Sequence, residues 1–126
     1  MQIEDGKPIF KTTVLEKNLN SANFAHGGFI MSLLDNAMGN ACFLAFDKTP
    51  CVTISMTTHF IKATAEGDEL IIKPVVEKKT NSLCFVKSEI LCNKEIIASG
   101  TGIWKLVKMK LTKSVEQKIK EDDGGW

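Results

Sequence analysis

HGGFIMSLLDNAMGNACFLAF, residues 26–46, decides how the rest of the chain must fold. A Gly-Gly pair opens it, and an apolar stripe then runs at helical spacing for about five turns. Ile30, Leu33, Leu34, Ala37, Met38 and Ala41 recur at steps of three and four, which predicts a helix buried along one face. Asp35 interrupts it. At about 100° per residue this carboxylate falls on the seam between the apolar stripe and a polar sector of Ser32, Asn36 and Asn40. A charge on a seam can be half buried and still be reached by a ligand. The stretch approaches the length of a membrane span, but Asp35 near its centre would cost about 2.5–3.5 kcal/mol there. Asn36, Gly39 and Asn40 add to the objection, so a core helix is expected and no membrane.

Upstream, residues 8–15 (PIFKTTVL) read as a short strand entered through Gly6 and Pro8, and 17–25 as an Asn- and Ser-rich loop. Downstream, the period changes to two. Val52, Ile54, Met56, Thr58 and Phe60 are expected to face one way and Thr53, Ser55, Thr57 and His59 the other, giving a strand with one buried and one solvated face. Strands over 70–78, 83–92 and 95–107 follow, separated by short polar turns at 66–69, 79–82 and 93–94, which predicts an antiparallel meander. Pro74 argues for an edge position or a bulge in the second of these four strands. One long helix and about five strands make an α+β domain over residues 1–107, with the sheet curled around the helix. Residues 108–126 are Lys- and Glu-rich with a thin stripe of Leu111, Val115 and Ile119, and are expected to be a polar tail, a short helix or disordered.

Composition narrows the function classes. The chain of 126 residues is enough for one domain, and 44% hydrophobic with 25% charged residues is ordinary for a soluble globular protein. A formal net charge of +1 gives no electrostatic reason to expect a nucleic-acid partner. The sixteen basic residues are all lysine, so any phosphate must be held by Lys or by backbone N–H groups. Cys42, Cys51, Cys84 and Cys92 lie in apolar stretches without a CxxC pair, which favours buried free thiols in a reducing, cytoplasmic setting over a disulfide framework or zinc. The acidic start lacks the pattern of a secretory signal. His26 and His59 have no companion acids at ligand spacing, so no metal is expected.

The first N–H groups of a helix are unpaired and carry the positive end of its dipole, and Gly27-Gly28 leave them open to a carbonyl oxygen that becomes an oxyanion. Asp35, an acid where Ser or Asn would cost less, reads either as a reactive group or as a solvated or structurally hydrogen-bonded side chain. Gly27 and Asp35 stand eight apart, about 12 Å of helical rise, too far for both to address one reacting carbon. Two antiparallel copies of the helix across a two-fold axis would bring Gly27 of one chain opposite Asp35 of the other, so a catalytic pair implies a homodimer.

Asn20, His26-Gly27-Gly28 and Asp35-Asn36-Ala37 resemble the hotdog-fold acyl-CoA thioesterases of the phenylacetate-pathway (PaaI-like) type, over roughly residues 8–107. The resemblance implies hydrolysis of acyl- or aryl-CoA thioesters without metal or cofactor, by a dimer or a dimer of dimers. It implies that the Gly27 N–H polarises the carbonyl and that the partner chain's Asp35 acts as nucleophile or base. Asn20 and His26 would position thioester and water, and Thr53 would stand beside the acid. Asn23 occupies a loop position where relatives commonly have glycine. Gly28 belongs to the same anion-facing turn, and Lys78, Lys79 and Asn81 form a candidate perch for the CoA phosphates. Phe24, Phe29, Met31, Phe43 and Met56 are candidates for an acyl pocket. A non-catalytic acyl-CoA-binding protein is the alternative of another class, though it would not need Asp35. A dehydratase or hydratase would use a different His–acid arrangement.

Overall fold

The structure, a computed structural model, describes residues 1–107; the expected tail at 108–126 lies outside the described residues. The helix expected at 26–46 is α1, Gly27–Ala45, and the six stripe residues are all buried on it, joined by Cys42 and Asn40. Asn40 departs from the expectation of a polar outer position. Its side-chain amide donates to the Asn36 carbonyl at 2.8 Å, which meets part of its hydrogen-bonding demand on the helix itself.

Among the described residues six strands surround this helix: β1 (Gln2–Glu4), β2 (Lys7–Thr13), β3 (Cys51–Phe60), β4 (Glu69–Lys79), β5 (Leu83–Cys92) and β6 (Glu95–Leu106). All neighbours are antiparallel and their order is β1-β2-β4-β5-β6-β3. The extra strand, β1, closes a hairpin through Asp5 and Gly6, both at positive φ. The meander is real only from β4 to β6. β3 pairs with β6 and not with β4, so residues 61–68 carry the chain across the curled sheet, past the start of α1, to pair β4 with β2. Eight residues are enough for that crossing, which is why hairpin-length spacing misled the expected order. Pro74 behaves as expected of an edge: β2 pairs with β4 only as far as Ile72, leaving Pro74 open on that side.

The helix settles on β6 over Gly100, and Gly102 beside it makes room for the Trp104 ring. A Cβ at Gly100 would lie 3.3 Å from Leu34 and Met38, and one at Gly102 would fall 2.6 Å from the Trp104 ring and 2.7 Å from the Ser55 carbonyl. Trp104 itself is buried beneath Gly39 of α1. With Phe10, Leu34, Met38, Leu70, Ile72 and Ile90, all without solvent exposure, it fills the space between helix and sheet.

The expected faces of β3 hold only for its second half. The pairing with β6 slips between Thr53 and Ser55, so Ile54 is an extra residue without a partner of its own. Thr53 opposes Trp104, Met56 opposes Gly102 and Thr58 opposes Gly100, which puts Thr53 on the helix side together with Met56 and Thr58. A bulge shifts the alternation by one residue. Val52 and Ile54, expected in the core, are instead 49% and 54% exposed on an edge strand.

Candidate active site

Asp35 sits half buried in the middle of α1, where the seam places it. Its Oδ1 accepts a hydrogen bond of 2.8 Å from the Thr53 hydroxyl, so the inward turn of β3 at the bulge delivers the hydroxyl to the acid. Oδ2 has no hydrogen-bond partner among the described residues.

The loop before α1 is built around Asn20. Its Oδ1 accepts from the Ala22 and Phe24 N–H groups at 2.9 and 3.1 Å, and its own N–H donates to the Phe24 carbonyl at 2.7 Å. The tight return puts Asn23 at φ 65°, a conformation that Asn tolerates better than most residues. The Asn20 carbonyl oxygen is thus committed to the loop, leaving its amide N–H₂ as the group able to meet a ligand. His26 caps α1 at φ −58°, ψ 139°, without a side-chain hydrogen bond to the helix, and its N–H donates to the Asn18 carbonyl. The Gly27 N–H, first in the helix, meets no acceptor among the described residues, and a Cβ at Gly28 would meet open space.

A cleft of about 330 Å³ opens beside Gly27. Phe24, Ile30, Phe60, Ile61 and Ile97 give it apolar walls, and Asn20, Lys62 and Thr64 supply polar groups. Thr64 is only 4% exposed and its hydroxyl has no hydrogen-bond partner among the described residues. Lys62 at the rim is held by Glu95, whose hydrogen bond and charge raise the ammonium pKa above its ordinary value. Of the residues proposed for an acyl pocket, Phe24 lines this cleft, while Met56 packs against the core on the helix side of β3. Sequence reasoning missed Thr64, Phe60 and the 61–64 segment, because only the crossover from β3 to β4 brings them to the start of α1.

One chain assembles two groups of these residues without joining them. Asn20, His26, Gly27 and Gly28 gather at the start of α1, and Asp35 with Thr53 about 12 Å along it. Lys78, Lys79 and Asn81 lie at the opposite end. Lys79 Nζ donates to the Ala45 carbonyl at 2.8 Å and stands 5.0 Å from the Phe46 ring, stabilising the negative end of the helix dipole. Lys78 and Asn81 remain exposed. Among the described residues no group of His, Cys, Asp and Glu could hold a metal ion. No described helix is long and apolar enough to cross a membrane.

A long helix wrapped by a curled antiparallel sheet is the hotdog arrangement. Residues 22–98 match the thioesterase superfamily model, and the chain belongs to that family. It is 29% identical over 94 residues to PA0474 of Pseudomonas aeruginosa, a protein provisionally named as an esterase; the match covers 72% of this chain and 69% of that one. Among solved structures, smu.793 from Streptococcus mutans, determined bound to acetyl-CoA, is 25% identical with a TM-score of 0.76, covering 88% of this chain and 89% of that one. The PaaI protein of the Escherichia coli phenylacetic acid degradation operon has a TM-score of 0.75 at 24% identity over 82% of this chain and 75% of that one, which shows the shared fold.

Proposed function

We propose that this thioester hydrolase acts on acyl-CoA or aryl-CoA as a homodimer, with each of two equivalent sites formed by the Gly27 end of one chain and Asp35 of the other. The observation that carries the reading is the carboxylate itself: Asp35 is fixed through Oδ1 by Thr53 while Oδ2 has no partner among the described residues. The thioester carbonyl oxygen receives the Gly27 N–H and the helix dipole, which stabilise the charge that develops on it. Asp35 either takes the proton of an attacking water or attacks the carbonyl directly, and the CoA thiolate leaves. The Asn20 amide and His26 orient the thioester and the water. The acetyl-CoA bound to smu.793 supports a CoA thioester as the ligand class. The apolar cleft beside Gly27 offers a seat for part of it. Lys78 and Asn81 are free to meet the CoA phosphates, and Lys79 can do so on leaving the Ala45 carbonyl. The chemistry requires no metal or cofactor.

The test is release of free CoA thiol from a panel of acyl- and aryl-CoAs by the wild type and by Asp35→Ala. A loss of about 10²–10⁴ in kcat in the variant, at unchanged fold, is expected for a base or nucleophile. Equal background rates for both proteins, with acyl-CoA still bound, would replace the hydrolase by a binding protein.

A further inference from the structure

Two side-chain rungs join α1 to β3. One is Asp35 to Thr53; the other is Cys42 to Cys51, whose sulfurs lie 2.8 Å apart with the Cys42 thiol donating. The residues of the two rungs stand seven apart on the helix and two apart on the strand, so each element presents both from one face. A disulfide requires about 2.05 Å between sulfurs, so closing this one requires a movement of under about 1 Å.

The two thiols are chemically unequal. Cys42 is fully buried, whereas Cys51 is half-buried at the first residue of the edge strand. The hydrogen bond from Cys42 lowers the Cys51 thiol below its ordinary pKa against the opposing effect of burial, and the same bond, with burial, pushes Cys42 up. Cys84, the third sulfur nearby, is fully buried, and burial raises its pKa. Of these three, Cys51 is the thiol suited to act as a nucleophile, because it alone combines thiolate character with access.

We infer that Cys42 and Cys51 form a peroxide-sensitive dithiol, in which Cys51 is oxidised first and Cys42 then closes a disulfide between α1 and β3. In the first step the Cys51 thiolate attacks one oxygen of hydrogen peroxide, the O–O bond breaks, and a sulfenic acid and hydroxide form; the hydroxide is protonated to water. In the second, the Cys42 sulfur attacks the sulfenic sulfur, the S–S bond forms, and the hydroxyl leaves with the Cys42 proton as a second water. One peroxide is reduced by two electrons and two thiols become one disulfide. None of these steps involves Asp35, so the inference stands or falls apart from the hydrolase reading.

The experiment treats the full chain with hydrogen peroxide, blocks remaining thiols under denaturing conditions and maps the peptides without reductant. A cross-linked peptide containing Cys42 and Cys51, about 2 Da lighter than the sum of its reduced parts, is expected, with titratable thiols falling from four to two and returning on reduction. Cys84→Ser and Cys92→Ser should keep the cross-link. Cys51→Ser, at a half-exposed position that tolerates the exchange, should abolish it and leave Cys42 reduced. Four thiols surviving treatment, a Cys42–Cys84 cross-link, or Cys51 carried to sulfinic acid while Cys42 stays free would each overturn the proposal.

Discussion

The Thr53 hydroxyl donates to Asp35 Oδ1 at 2.8 Å, and it reaches that oxygen because β3 gains one residue at Ile54 and turns Thr53 inward. Hydrogen bonds to charged groups contribute roughly 1.5–3 kcal/mol, reduced here by solvent because Thr53 is exposed. Thr53→Val should therefore lower kcat about 5- to 50-fold with KM nearly unchanged. Thr53→Ser should recover most of the loss. Steady-state kinetics of the two variants on one acyl-CoA decide the matter; equal kcat in Thr53→Val and wild type would show that the hydroxyl does not hold the acid for the reaction.

The divided labour of Asn20 separates folding from chemistry. Asn20→Asp keeps an oxygen for the Ala22 and Phe24 N–H groups but loses the amide donors. Its thermal midpoint should stay close to that of the wild type, while kcat/KM falls by at least about tenfold, the scale of one lost hydrogen bond. Asn20→Ala should lose activity and, in addition, about 1 kcal/mol of stability. Thermal melts beside thiol-release kinetics distinguish the two effects.

Gly27 and Asp35 of separate chains should complement one another. Proline is well tolerated at the first position of a helix, and His26 already has the extended backbone that precedes a proline. Gly27→Pro then removes one N–H and should cost about 10²–10³ in kcat. Mixed after dissociation with Asp35→Ala, it should form heterodimers with one intact site each, restoring about a quarter of wild-type activity for random pairing of two-fold dimers. No recovery from verified heterodimers would place both groups of a site in the same chain.

Gly102 on β6 makes a prediction about stability alone. Gly102→Ala drives a Cβ to 2.7 Å from the Ser55 carbonyl, which cannot swing away, and should cost about 2–3 kcal/mol. Gly28→Ala adds its methyl group to open space and should stay within about 0.5 kcal/mol of the wild type. Denaturant midpoints at constant m-value provide the comparison.

Much of this was legible in the sequence because periodicity reports burial directly. The helix ends fall within one residue of those expected, and the six stripe residues are six of the eight that bury. Asp35 lies on its seam, and Asn23 carries the left-handed turn. Strand adjacency was not legible, since a connection of eight residues is compatible with a hairpin and with a crossing of a curled sheet. Nor was the bulge: VTISM alternates without interruption, and only the pairing with β6 shows where the parity changes. β1 escaped because its three residues are all exposed and its single apolar residue, Ile3, is too little to show a period, although Asp5-Gly6 is the turn pair that marks a hairpin. The glycines at 100 and 102, spaced by two within a strand, were an available sign of close backbone approach.

The glycine under α1 bears on how such a scaffold diversifies. Where α1 crosses β6, Leu34 and Met38 settle over Gly100, a position with no side chain to vary, so the seat of the helix that carries Asp35 depends on a residue that cannot grow without pushing it. Residues lining the neighbouring cleft, such as Phe24, Phe60 and Ile61, stand outside that contact and are well exposed. On the proposed reading they can drift to suit a new acyl group while Asp35 keeps its place, so selectivity and chemistry would be separately inherited parts of one small fold.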